Sequence, residues 1–221
     1  MPKILLLNLF YIALTQMSAA AESQHTHELP PHSLHYSTFK PIERNHSFSE
    51  GVSHVGFIYG LSIGGYLFLH RDAIQKEGSW EKYRNHFGNI DANDHDRFSF
   101  NWGTHVFTGS QSYLFFRSQS YSKIDALALT ALQSALFEFT IEIYTERASA
   151  EDLINTPLLG SALGVLLETT SLKLLNSESR FSRVLGYLLN PPALLGLHEG
   201  EVKASPIVTS KYQGLALEYR F

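Results

Sequence analysis

Asn101, His105, Gly109, Tyr113 and Arg117 recur every four residues, and Glu138, Glu142 and Glu146 do so again farther along the chain. At 3.6 residues per turn, each series falls close to one stripe of a helix. The surrounding sequence is apolar, so these groups must find partners, because a buried charge without one is very costly. Two outcomes satisfy that demand. One is a structural polar seam, in which His105 and Arg117 neutralise the glutamates and Asn101, Tyr113, Glu146 and Asp152 complete the pairing. The other is a site, in which His105 acts with Glu138 or Glu142 as base and acid, or in which His105 and two glutamates hold a divalent metal. The Glu-x-x-His pattern common to metal sites in helical bundles is absent, so the spacing names no metal and no cofactor.

Other candidates for chemistry are weaker. Gly60-Leu-Ser62-Ile-Gly64 has the letters of a nucleophile elbow but lies in an apolar helical segment, where no strand-to-helix turn exposes the serine. His25, His27, His32, His35 and His46 have no closed metal-site spacing. The acidic run 89–96 lacks the glycine and terminal glutamate of an EF-hand. No phosphate loop or dinucleotide fingerprint occurs. The chain has no cysteine, which removes disulfides, thiolate nucleophiles and cysteine-based zinc sites together.

The elements that must position the stripes are helices. Residues 98–118 and 124–146 are expected to be helical, the second being rich in strong helix formers such as Ala126, Leu127, Leu129 and Ala131. Ser149 to Asp152 reads as a capping box opening a short turn, and Asn155-Thr156-Pro157 as the restart of a further helix over 158–175. In that helix Gly160 and Gly164 stand four apart. Upstream, Val52 to Leu69 has no formal charge and carries Gly56, Gly60 and Gly64 on one face, a small-residue stripe that predicts close approach of another helix. Ser79 is placed to cap a short helix ending near Gly88, with Trp80, Tyr83 and Phe87 on one side. At the end of the chain Leu215, Leu217, Tyr219 and Phe221 alternate with other residues, which predicts a strand hairpin of 201–209 with 211–221. The expected fold is therefore mainly α: a compact bundle of apolar, glycine-containing helices over 51–200 with a short C-terminal β-hairpin.

Lys3, the apolar stretch Ile4–Leu14 and the small residues Ser18 to Ala21 have the order of a secretory signal peptide ending near residue 21. No cysteine follows for a lipid anchor. Residues 22–50, with Pro30-Pro31 and scattered His and Ser, read as a flexible tail. A net charge of -4 argues against nucleic acid as a partner, which asks for a basic face. Too few alternating segments are present for a full transmembrane barrel.

The series Asn101, His105, Gly109, Tyr113, Arg117 resembles that of the DUF3943 family, exported bacterial proteins of unknown function. So do Glu138 with Glu142, then Glu146, Ser149, Asp152 and Leu153, then Thr156-Pro157 with Gly160 and Gly164, and the closing Asn190-Pro191. Val106 and Val165 stand where the family pattern has Pro and Glu. The resemblance spans 101–191 and implies a place in the cell envelope without bringing a reaction.

The expectation is a protein exported to the periplasm or outer membrane of a Gram-negative-type bacterium, with membrane lipid or an envelope protein as partner. It would serve as a structural or accessory membrane-associated protein. The competing expectation is a membrane-proximal hydrolase or metal-dependent enzyme that acts on lipid or cell-wall material through His105 and Glu138 or Glu142.

Overall fold

The computed structural model describes residues 39–92, 101–195, and the strands at 202–208 and 213–219; the side chains of 101, 102 and both strands lie outside the described set. The expected signal peptide, most of the expected tail, the histidines up to His35, residues 93–96 of the acidic run and Phe221 fall outside it as well.

The architecture is mainly helical. Ser47 caps α1 (Phe48–Leu69) through a complete capping box with Glu50, satisfying two donors that the first turn would otherwise leave free. Two short helices follow, α2 (Arg71–Glu77) and α3 (Trp80–His86), the latter capped by Ser79 as its sequence predicts. A π-helical turn at Asn101–His105 leads into α4 (Val106–Ser118). Then come α5 (Lys123–Thr140), capped by Ser122, α6 (Ala150–Leu175), capped by Ser149, and α7 (Arg180–Leu189), capped by Ser179. Ile90–Asp91 (β1) and Ala148–Ser149 (β2) pair in parallel. Val202–Val208 (β3) and Gln213–Tyr219 (β4) pair antiparallel, with Val202 opposite Tyr219.

The helix expected over 124–146 ends early. After Thr140 the chain turns and makes a 3-10 turn at Glu142–Tyr144, so Glu138, Glu142 and Glu146 do not share one continuous stripe. Tyr144 and its neighbours are held instead by α3: Ser79 N–H donates to Tyr144 O at 3.2 Å and Lys82 Nζ to Thr145 O at 3.3 Å. The break expected before Pro157 does not occur either. Pro157 lies inside the single helix α6. Its ring removes one backbone donor, and the packing of the surrounding turns outweighs that loss. Residues 39–47, part of the expected tail, are packed. Phe39 is buried, and its N–H donates to Asn176 Oδ1 at 2.7 Å.

The close helix crossing is at a different glycine set from the one with the longest stripe. A Cβ at Gly56, Gly60 or Gly64 would meet nothing within 4 Å, so among the described residues no helix lies against this face of α1. At Gly109, by contrast, a Cβ would lie 2.0 Å from Thr156 O, and at Gly160 it would lie 2.7 Å from Gly109 Cα. Here α4 and α6 touch backbone to backbone, as small residues permit. Gly164 extends the contact, with the ring of Tyr113 lying over it.

The interior is unusual. Among the described residues, buried polar side chains outnumber buried apolar ones, and they include Arg117, Gln133, Glu138, Glu142, Asp152 and Glu168. Meanwhile Phe48, Phe68, Leu69, Leu166, Phe181 and Leu188 are exposed. Three stretches, Phe48–Leu69, Lys123–Tyr144 and Ala150–Leu175, are long and apolar enough to cross a membrane, yet only 22%, 28% and 33% of their most apolar windows are buried. Water-soluble domains place their apolar groups the other way.

Candidate functional site

The site forms where three element ends meet. His105 closes the π-helical turn before α4, Glu138 lies in the last turn of α5, and Asp152 in the first turn of α6. One ligating atom from each lies within 4.8 Å of the other two. Ser149 does most of the positioning. Its hydroxyl caps α6 by accepting from Asp152 N–H at 3.2 Å, and its own N–H donates to Glu138 Oε2 at 3.1 Å. One residue therefore fixes the Glu138 carboxylate and the first turn of α6, which carries Asp152, at the positive end of the helix dipole. The β1–β2 pairing and the ion pair of Arg147 with Asp91, at 3.2 Å, hold the turn that presents Ser149.

His105 Nδ1 lies 3.6 Å from Asp152 Oδ1 and 3.3 Å from Thr156 Oγ1. Glu142, displaced from the α5 stripe by the 3-10 turn, is buried on the wall of the same cleft as Glu138. Glu142 is 8% exposed, and its Oε2 has no hydrogen-bond partner. Tyr66 anchors the same corner, its hydroxyl 2.5 Å from Thr145 Oγ1.

These groups border a cleft of about 460 Å³. His105, Glu138, Glu142 and Thr156 lie on its wall together with apolar side chains of α1, α4 and α5, among them Ile58, Leu61, Phe115 and Phe137. Pro191 and Pro192 are also part of the lining, so the Asn190-Pro191 segment contributes to the cleft. Gln133, 4% exposed, donates from Nε2 to Ser62 Oγ at 3.2 Å and leaves its Oε1 without a partner. Ser62 also donates to Ile58 O within α1, so the Gly-x-Ser-x-Gly letters mark a helix-bonded serine and no nucleophile elbow.

The expected pairing of Arg117 with the 138–146 glutamates is not what the structure has. Arg117 sits at the other end of α4, where Nε donates to Glu168 Oε1 at 2.8 Å and Nη1 to Glu43 Oε1 at 2.8 Å and to Tyr121 O at 2.5 Å. Twelve residues of helix separate it from His105, roughly 18 Å at 1.5 Å per residue. The single seam thus divides into two polar clusters at opposite ends of the bundle. Tyr113, between them, is buried against Gly164. Glu146 is exposed at the rim, and the side chain of Asn101 is outside the described set. Sequence reasoning missed Glu168 and Glu43. Glu168 is a lone carboxylate in the apolar run of α6, which was a legible sign of a buried partner; Glu43 carried no such sign.

A bundle that brings histidine and carboxylates from three helix ends to an apolar cleft is a site-bearing helical domain. Residues 91–192 match the family described as a domain of unknown function, DUF3943, so this part of the chain is similar to that family. The match takes in His105, Glu138, Glu142, Asp152 and Arg117, and its end coincides with Pro192 in the cleft lining. No curated protein and no solved structure matches the chain.

Proposed function

We propose that the protein is a cell-envelope enzyme working at a membrane, which uses His105 with Glu138 and Glu142 to activate water against an amphiphilic substrate. The observation that carries this reading is the convergence of His105, Glu138 and Asp152 within 4.8 Å beside a cleft of about 460 Å³. Glu138 and Glu142 line the same cleft as His105, an arrangement in which a carboxylate can take a proton from water beside the substrate. The apolar walls suit an acyl or other hydrocarbon chain, and the polar groups at their edge suit its ester or phosphoester linkage.

The membrane part of the reading is supported by the inverted interior and by the three long apolar helices. Ionisable groups among such helices lean functional, since lipid offers them nothing to pair with. Export to the periplasm or outer membrane is supported by the order of residues 1–21.

The test is a panel of fluorogenic acyl esters and phosphodiesters presented in lipid nanodiscs to the purified protein. Turnover of at least one class, lost in His105→Ala and in Glu142→Ala while both variants keep their thermal transition, is the expected result. Absence of turnover for every class, with both variants folding, localising and complementing normally, overturns it. A structural role is the second reading, favoured by the fully engaged Arg117–Glu168–Glu43 cluster, and unfolding of both variants would support it.

A further inference from the structure

The geometry points to a divalent metal ion held by His105, Glu138 and Asp152, with Glu142 on the wall of the same cleft. The inference rests on the reading of the cleft as the working site, and it names the cofactor of that site.

Donor atoms 2.0–2.2 Å from a shared ion stand at most about 4.4 Å apart. The three atoms here lie within 4.8 Å of one another, and His105 Nδ1 and Asp152 Oδ1 are already 3.6 Å apart. A few tenths of an ångström of side-chain movement closes the set. The ligands also come pre-oriented. Ser149 N–H fixes Glu138 Oε2, and the Ser149 hydroxyl fixes the turn that carries Asp152. Outer hydrogen bonds of this kind hold first ligands in place in metal sites.

Two further observations point to a ligand. Glu142 and Gln133 both line the cleft, both side chains are more than nine-tenths buried, and Glu142 Oε2 and Gln133 Oε1 have no hydrogen-bond partner. None of the described residues lining the cleft is Lys or Arg. Histidine is thus the one residue type there that can carry positive charge against the grouped carboxylates, and buried like charges of this kind call for a counter-ion. A cation among them would supply it. One imidazole with two carboxylates suits Mn²⁺, Fe²⁺ or Zn²⁺, whereas Ca²⁺ takes oxygen ligands and Cu⁺ takes sulfur. Three protein ligands with the next position open to a cleft is the pattern of catalytic sites, and Glu142, on the wall of the same cleft, would serve as the base for ion-bound water.

The full-length protein, stripped with chelator and placed in nanodiscs, is titrated with Mn²⁺ alone and followed by calorimetry and electron paramagnetic resonance. One equivalent is expected to bind, with the nitrogen coupling of a single imidazole in the pulsed spectrum. His105→Ala, Glu138→Gln and Asp152→Asn are each expected to weaken binding at least tenfold, and Glu146→Gln to leave it unchanged. The nitrogen coupling is read on the unaltered protein and stands even if a variant fails to fold. No stoichiometric ion, no nitrogen coupling, or binding lost on replacing His25, His27, His32 and His35 by Asn would each overturn the proposal. Mn²⁺ bound as described without turnover of any amphiphile supports the metal site while removing the hydrolytic reading.

Discussion

Arg117 illustrates how much a single buried charge constrains this bundle. Its guanidinium is engaged by Glu168, Glu43 and the Tyr121 carbonyl, and both Arg117 and Glu168 are almost wholly buried. Removing one partner of such a pair leaves the other charge buried alone, which costs roughly 3–5 kcal/mol. Arg117→Met and Glu168→Met are each expected to lower stability by about that amount, as read by thermal unfolding in detergent. The double substitution is expected to recover most of it, because it removes both desolvation penalties together. Equal losses in the single and double variants would show that the pair does not carry the cluster. The histidine and carboxylates at the other end answer to a different logic: they border a cleft, and Glu142 Oε2 is left without a partner.

Among the elements, the α4–α6 crossing places the site. Gly109 and Gly160 let the two backbones touch, and this contact sets how far His105, just ahead of α4, stands from Asp152 at the start of α6. Gly109→Ala drives a methyl group into the Thr156 carbonyl and must part the helices. The expected loss is about 2 kcal/mol or more, by analogy with overpacked cores, together with weakened activity because Thr156 is also the hydroxyl beside His105. Gly64→Ala is the contrast. Open space surrounds that position, and alanine is the better helix former by about 1 kcal/mol. Denaturant midpoints of the two variants should therefore move in opposite directions. The spacing of glycines was legible in both helices, but which set meets a neighbour was not, since close approach is a property of two segments.

For the whole molecule, the inverted interior leads to a prediction about where the protein resides. Phe48, Phe68, Leu166 and Leu188 are exposed around the bundle, and the protein is expected to fractionate with membranes and to need detergent, not salt or carbonate, for release. Replacing Leu166 and Phe68 by Asp should shift it toward the aqueous fraction or toward aggregation, because a charge on a lipid-facing helix costs about 2.5–3.5 kcal/mol. Release of the unaltered protein by high salt alone would remove the lipid-facing reading.

Local pattern was enough to determine that this protein is mainly helical and that Ser79 and Ser149 open helices, and it singled out His105, Glu138 and Glu142, which the fold brings to one cleft. Those properties follow from short-range periodicity and capping, which act within one or two turns. Tertiary structure alone decided that α5 stops at Thr140, that α6 runs through Pro157, that Arg117 pairs with Glu168, and that the glycine stripe of α1 meets no helix among the described residues. Each depends on contacts between segments far apart in the chain, where packing overrides local preference. The same holds for the cleft. Its walls come from four helices and the Pro191–Pro192 segment, and no one of them reveals it.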